Sequence, residues 1–500
     1  MLEEVFLGRP EVEKYKMLTV IKSLPEHELN LNNISTELDF TYQKTYNIFQ
    51  SLIQDLMIMD EKLDVANNKI EDIDFDNISI NKYRLFLIED SVVFQAFNYG
   101  MSTSKPSFDN FSTLHFTSKS TLNRKMAGLR KMLKGFDLKI SNSTLEISGD
   151  EKRIRWVAYL IYWRIFHGQV WPFDIVNEDN VEQILHRSEQ IVNPVTFIQM
   201  KYLVAISRMR LIKKNNLGSM TSYKEIFDNH PIGDDIILQS DYPLISPSDI
   251  MNENKFLSVF NNLNFRSRST SDDDYKIFSI YDISSEKIKG LVDSFIDSLL
   301  SKYKINVRVS VSTDIDPINY LKEYTARIFG FFYIMSDISV TSWQNFSEGN
   351  DSVSAYTSLY KFISDFIKGI DHDEFPGISN SVDTISHDLT QVLPSYISAI
   401  PESDKIKVKL IVDSGSTTES ELLRNITMTS YVELANNNEF EDVDLILTTL
   451  DIFPTEEELK KYPKNVKILS WNLQSTRLDY FWLLKRIDDM YNMKIKKGKS

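Results

Sequence analysis

Sixteen residues, Glu151 to Phe166, constrain this chain more than any other stretch. Read as a helix, they put Trp156, Val157, Tyr159, Leu160, Ile161, Tyr162, Trp163, Ile165 and Phe166 on nearly every side, whereas a surface helix keeps its apolar residues to one stripe. Such a helix has to be enclosed by protein. It is too short and too interrupted for the roughly 20 apolar residues of a membrane span, as is Ile328 to Met335. An aromatic helix can form a ligand cage, but a connecting helix clamped between domains is the simpler reading. His167-Gly168 and Trp171-Pro172 end it and mark a domain boundary.

Just upstream, Ser118 to Lys134 carries six basic side chains and no acidic one, in a chain whose 56 Lys and Arg against 71 Asp and Glu give a net charge of -15. An acidic molecule disfavours general adhesion to polyanions, so any nucleic-acid site must be local. Leu122, Met126, Leu129 and Leu133 recur at helical spacing, and Ser118 is a good N-cap. One cationic helix is predicted. Lys119, Ser120, Thr121, Asn123, Arg124 and Lys125 would meet bases and phosphates, and Arg130, Lys131 and Lys134 the DNA backbone. The competing reading is a solvated basic face beside acidic neighbours.

A helix from about Tyr83 to Tyr99 and a short one near Phe108 to His115 precede this segment. Leu138 to Ile147, with Ser141-Asn-Ser143 at its turn, reads as a hairpin wing. A weaker twin comes earlier. Residues 11–24 and Asn32 to Leu38 read as helices, Asp39-Phe40 as a break, and Thr41 as the cap of a third helix. That helix turns Thr45, Phe49, Ile53 and Leu56 inward and Gln43, Lys44, Asn47, Gln50 and Gln54 outward. Met57 to Val65 could form its wing. From Glu13 to Lys62 five Lys face eight Asp or Glu, and 5 minus 8 gives -3, a poor footprint for an autonomous DNA binder. Gln43, Lys44 and Asn47 are therefore expected to assist the second unit.

Five hundred residues predict three or four domains of roughly 150 residues each. Only 15 Gly and 14 Pro, with long helical periodicities, predict a mainly α, multidomain chain. From Asn177 to Pro401 helices are expected without strand alternation. Asn193-Pro194 and Asp316-Pro317 each open a long apolar helix with a cap and a first-turn proline, each after an amphipathic helix, near Val181 to Ile191 and Glu286 to Tyr303. Two helical bundles follow, with a seam near Ser284. Beyond Pro401, Ile406 to Val412, Val443 to Leu450 and Val466 to Trp471 read as buried strands. Thr418-x-x-Glu421 reads as a capping box, Ser475 to Met493 as a closing helix, and Lys494 to Ser500 as a frayed tail. This is a small α/β domain with a mostly parallel sheet. The absence of cysteine removes disulfides, thiolate metal sites and cysteine nucleophiles, and suits a reducing compartment. The N-terminus lacks the pattern of a signal peptide, so a cytoplasmic protein is expected. No metal cluster, nucleotide motif or catalytic triad is legible, so no metal, no cofactor and no enzymatic activity are expected.

In its order of parts the chain resembles the Mga/AtxA family of transcriptional (virulence) regulators. The residues that carry the likeness are Thr117-Ser-Lys-Ser-Thr-Leu-Asn-Arg-Lys125 and Gly149-Asp-Glu-Lys-Arg-Ile-Arg155 leading into Tyr159-Leu-Ile-Tyr-Trp163. The resemblance implies an N-terminal winged helix-turn-helix at 1–66, a second and main one at 67–150, and a linker helix at 151–171. It implies helical domains of the PTS-regulation (PRD) type at 172–283 and 284–399, and a domain like PTS enzyme IIB at 404–493. It further implies double-stranded DNA as partner, homodimerisation or higher self-association, and regulation by PTS phosphocarrier proteins through histidine phosphorylation. The candidates for phosphorylation are His387, His372, His186 and His230, each with an alternative reading as ordinary surface or core. Adding a phosphate beside aspartates, as at His372 and His387, costs repulsion unless a basic side chain approaches. The loop Asp413-Ser-Gly-Ser-Thr-Thr418 takes the place of a phosphate cradle. With no cysteine for enzyme IIB chemistry it is expected to be scaffold. The rival reading is a PTS-linked protein-interaction adaptor that does not read DNA.

Overall fold

The computed structural model describes residues 3–59, 70, 73, 75, 77–187, 193–227, 235–265, 279–305, 316–335, 356–400, 402–412, 417–426, 429–436, 440–450, 456–471 and 477–497. Among these, the residues of 1–292, 323–349 and 370–384 form one compact unit and those of 293–322, 350–369 and 385–500 a second. The chain is mainly helical with a small parallel sheet.

The first unit opens with α1 (Glu3–Phe6) and α2 (Arg9–Ser23), then α3 (Leu31–Glu37) and α4 (Tyr42–Met59). Because α4 runs to Met59, Met57 to Met59 are helical rather than part of a strand, and the rest of the expected first wing, from residue 60, lies outside the described residues. Where one helix was expected over Tyr83 to Tyr99 there are two, α5 (Ile80–Glu89) and α6 (Val92–Ser102). Ser91 makes the break: its hydroxyl accepts from the Phe94 N–H at 3.4 Å and donates to the Phe6 carbonyl, the competition with helical bonding that favours serine at caps.

After α7 (Phe108–Leu114), the basic segment is likewise two helices, α8 (Lys119–Lys125) and α9 (Ala127–Gly135). The wing is a minimal antiparallel pair, β1 (Lys139–Ile140) and β2 (Ile147–Ser148), in which Ile140 faces Ile147. Leu138, Ile140, Leu145 and Ile147 are buried beneath it. A Cβ on Gly100 would stand 2.2 Å from the Leu145 carbonyl oxygen, so only glycine lets α6 pass the wing at this distance.

Helix α10 (Glu151–Phe166) is the enclosed element the sequence demands. Asp150 caps it by accepting from the Arg153 N–H at 3.1 Å. His167 ends it in the left-handed conformation at φ 46°. Tyr162 lies 5.7 Å from Phe97 and 4.9 Å from Phe173, and Trp156 lies 5.0 Å from Phe260, so both ends of the helix are walled by aromatic rings. Each such ring removed from water stabilises by about 1.5–3 kcal/mol. Two charged side chains, Arg155 and Glu253, are fully enclosed with them. Arg155 donates to Glu151 at 3.0 Å and to the Asn215 carbonyl at 3.1 Å and pairs with buried Glu253, while Arg210 holds Glu151 from the other side. Burial pushes the Glu253 carboxyl up, against the pull of Arg155.

The helices that follow are α11 (Glu178–Leu185), α12 (Pro194–Ile212), α13 (Thr221–Phe227), α14 (Pro247–Val259), α15 (Ile280–Ile283), α16 (Glu286–Lys302), α17 (Pro317–Ile334), α18 (Thr357–Lys368), α19 (Pro376–Ser379) and α20 (Val382–Val392). Both cap-plus-proline openings form as the sequence requires. Asn193 accepts from the Val195 N–H at 2.8 Å, and Asp316 accepts from the Ile318 N–H at 2.9 Å. Helix α11 stops at Leu185, short of the expected Ile191; residues 188–192 lie outside the described residues. Between Asn177 and Pro401 the described residues contain no strand, only an isolated bridge between Ile305 and Ile397.

The C-terminal part holds β3 (Ile406–Ile411), α21 (Thr417–Ile426), β4 (Val432–Leu434), β5 (Leu445–Thr448), α22 (Glu456–Leu459), β6 (Lys467–Ser470) and α23 (Arg477–Lys497). The sheet order is β4-β3-β5-β6 with every pair parallel. Helix α21 starts at Thr417, so Thr418 lies inside it and not at its cap, and α23 continues through Lys497 where a frayed tail was expected from Lys494. Ile406, Val408, Leu445 and Leu447 pack with Leu422, Leu483 and Ile487 on one face, as the short apolar runs predict for a parallel sheet, but β6, expected to be buried, is an edge strand with Ile468 exposed.

Candidate nucleic-acid interface

The second helix-turn-helix is set by local bonding. The N–H groups of His115, Phe116 and Thr117 donate to the carbonyls of Phe111 (3.0 Å), Thr113 (3.3 Å) and Ser112 (3.0 Å), and Phe116 takes the left-handed turn at φ 48°. Ser118 then caps α8, accepting from the Thr121 N–H at 3.1 Å. Leu122, Met126, Leu129 and Leu133 are all fully buried, so the predicted apolar stripe fixes which side of α8 and α9 faces out. The break at Met126 leaves the Asn123 carbonyl without its helical donor, and Arg130 supplies one. Its guanidinium donates to Asn123 O at 2.9 Å and to Asn123 Oδ1 at 2.8 Å.

The basic residues thus divide. Arg124, Lys131 and Lys134 are exposed, and no ion pair to them occurs among the described residues. Lys119 is exposed but pairs with Asp109 at 2.6 Å. Lys125 borders a cleft of about 380 Å³ that also holds Glu4, Glu11 and Asp90. Arg130 is half-buried and braces the break. Of the uncharged candidates, Ser120 and Asn123 are exposed and Thr121 is half-buried, with the Thr121 and Ser120 hydroxyls 2.9 and 3.1 Å from Ser118 Oγ. Sequence reasoning missed Phe116, which is 99% exposed in the turn. Its signal was its place one turn residue ahead of the cap, a position glycine or asparagine usually fills.

The first unit repeats the turn bond for bond. The N–H groups of Leu38, Asp39 and Phe40 donate to Ile34 (3.0 Å), Thr36 (3.2 Å) and Ser35 (2.9 Å), with Asp39 at φ 53°. Thr41 accepts from the Lys44 N–H at 3.4 Å. Gln43 and Asn47 are exposed and bonded to each other at 3.1 Å. Lys44 is turned inward. It bonds Glu13 at 2.8 Å and lies 3.6 Å from the centre of the Phe40 ring. Burial opposes ionisation of Glu13, but Lys44 and Arg9 hold its carboxyl below the usual value. Tyr42 and Tyr46, also missed, share the outward face at 53% and 43% exposure. Their i, i+4 spacing with that of Gln43 and Asn47 would have shown it.

The histidines are scattered. His186 ends α11 and packs against Phe197, ring centres 4.9 Å apart. His372 is exposed, with Nε2 3.2 Å from Asn380 Oδ1 and Nδ1 3.9 Å from Asp373. His387 is half-buried on α20, and burial holds its imidazole below the ordinary value. His230 lies outside the described residues, as do residues 413–416 of the expected phosphate loop. Among the described residues no group of His, Asp and Glu is arranged to hold a metal ion, and no helix is long and apolar enough to cross a membrane.

A tri-helical turn, a capped helix with outward basic and amide side chains, and a small wing define a winged helix-turn-helix, the class that places its second helix in the major groove. Residues 76–162 match the family model of the Mga helix-turn-helix domain, which supports membership of the Mga family of regulators and suggests a DNA-binding regulator. No curated protein matches the chain.

Proposed function

We propose that the protein is a cytoplasmic DNA-binding transcription regulator of the Mga/AtxA type, without enzymatic activity, whose main contacts with double-stranded DNA come from α8 and α9. The observation that carries this reading is the outward set Ser120, Asn123, Arg124, Lys131 and Lys134, positioned by a capped turn inside the matched region. Ser120, Asn123 and Arg124 address base edges, and Lys131 and Lys134 address phosphates. Lys119 and Lys125 join them by exchanging carboxylate neighbours for phosphate, while Arg130 and Thr121 hold α8 in shape. Residues 172–283 and 284–399 are PRD-like regulatory domains in this reading and 404–493 an enzyme IIB-like domain, acting with PTS phosphocarriers and self-association to tune output. His372, exposed and near Asn380, is more open to a phosphocarrier than half-buried His387.

Charge reversal of Arg124, Lys131 and Lys134 together is expected to abolish binding of promoter-length DNA at physiological salt while the melting temperature stays within about 2 °C. The logarithmic salt slope should fall in magnitude by roughly 0.9 for each phosphate no longer neutralised. An unchanged slope would overturn the assignment. The adaptor reading is favoured by the Lys44–Glu13 pair, which neutralises the one lysine of α4. A gel-shift at physiological salt with no DNA complex would choose it.

A further inference from the structure

Because the two turns share every backbone bond, their positions can be matched one for one. Thr41 stands where Ser118 stands, Tyr42 where Lys119, Gln43 where Ser120, Tyr46 where Asn123, and Asn47 where Arg124. The second unit offers cations at two of these positions, Lys119 and Arg124, where the first offers a phenol and an amide. Lys44, the only Lys or Arg in the α4 sequence, faces Glu13 and Phe40. A helix so equipped offers a phosphate oxygen hydrogen bonds without charge, and offers a base edge both donors and acceptors. Gln43 and Asn47 have already met through one amide N–H and one amide oxygen. The Gln43 carbonyl oxygen and its second N–H are left over, an acceptor beside a donor on one planar group that Asn47 holds in place before DNA arrives. That is the complement of adenine in the major groove, which presents an N6 donor beside an N7 acceptor, and the phenol rings beside it suit the thymine methyl.

Resting on the regulator reading above, we infer that the two helix-turn-helix units divide their work: the first is a neutral sequence reader for an A·T step through Tyr42, Gln43, Tyr46 and Asn47, and the second is the charged grip. The first unit's acidic balance, unfavourable to autonomous binding, then has a purpose. It keeps this helix off non-cognate DNA until the second unit holds the duplex.

The experiment takes the full chain and a duplex it selects from a randomised library, with a scrambled duplex of equal length as reference, and measures affinity for both across a salt series. For Gln43→Ala with Asn47→Ala the expected result is a loss of roughly ten- to hundredfold on the selected duplex. Affinity for the scrambled duplex and the salt slope should not change, and re-selection should lose an A·T preference at one position. Tyr42→Phe with Tyr46→Phe, which keeps the rings, should lose less than Tyr42→Ala with Tyr46→Ala. Full affinity of the amide variant for the selected duplex overturns the inference while leaving the regulator reading intact. So does an equal loss on both duplexes with a shallower slope, which would make these phosphate contacts. So does unaltered DNA binding alongside lost association with a protein partner. Failure of the intact chain to select any sequence removes both readings together.

Discussion

The two helix-turn-helix units have the same turn and opposite surfaces. Three backbone bonds in each, within 0.1 Å of one another, close the turn between α3 and α4 and between α7 and α8. The left-handed residue is Asp39 in one, a short polar residue that tolerates φ above zero, and Phe116 in the other, a bulky residue that does not. The turn is therefore a property of hydrogen bonding that many sequences satisfy, whereas the outward side chains are free to diverge. The units also differ in their mounting. Glu3, 1% exposed, lies 3.6 Å from Arg84, itself 3% exposed, and 3.3 Å from the partly exposed Arg164, so an ion trio with a buried Glu3–Arg84 pair joins α1, α5 and α10 beneath the second helix-turn-helix. The first unit is tied by Asp55, which keeps some solvent access and bonds Lys14 and the Tyr83 hydroxyl.

This difference of mounting gives the largest expected effect. Glu3→Ala leaves Arg84 enclosed without its counter-charge and should cost about 3–5 kcal/mol in a denaturant titration. Asp55→Ala, with water able to reach Lys14, should cost less, about 1–3 kcal/mol. Equal costs, or the reverse order, would break the distinction between a mounted and a tethered unit.

Much of this arrangement is legible in the residues, and the misses have definite causes. The enclosed helix at Glu151 to Phe166, the Ser118 cap and the proline openings at Pro194 and Pro317 follow from patterns complete within a few residues. The breaks at Ser91 and Met126 do not, because helical periodicity runs straight across both. At Ser91 the decisive partner is the carbonyl of Phe6, 85 positions away. At Met126 the helix that follows packs against α1, more than 100 positions away, with Val5 3.7 Å from where a Cβ on Gly128 would stand. For the same reason the sequence counts six cations alike, while the fold assigns Arg130 to Asn123 and Lys119 to Asp109.

Two glycines sharpen the comparison at the next level. Gly100 sits where α6 crosses the wing of the second unit, and a methyl group there meets the Leu145 backbone at 2.2 Å. Gly100→Ala should destabilise by about 1–3 kcal/mol through forced displacement of the wing, with DNA affinity falling in step if the wing follows the phosphate backbone. A methyl group on Gly128 would make only ordinary contact at 3.7 Å, and alanine there should stabilise α9 by about 0.5–1 kcal/mol. If both alanines destabilise, the wing is not what makes Gly100 special.

The smallest expected effect lies in the turns themselves. Phe116 combines an unfavourable backbone conformation with nearly complete exposure, so no burial of its ring compensates its left-handed φ. Phe116→Asn removes the steric cost, and the protein should melt slightly higher, by about 0.5–1 kcal/mol. The exchange Asp39→Phe imposes that cost on the first unit and should lower stability by a similar amount. The three turn bonds should persist in both variants, as protected amides in hydrogen exchange. Loss of that protection in the second unit alone would show that Phe116 does shape the turn, and that the two turns agree in geometry without agreeing in cause.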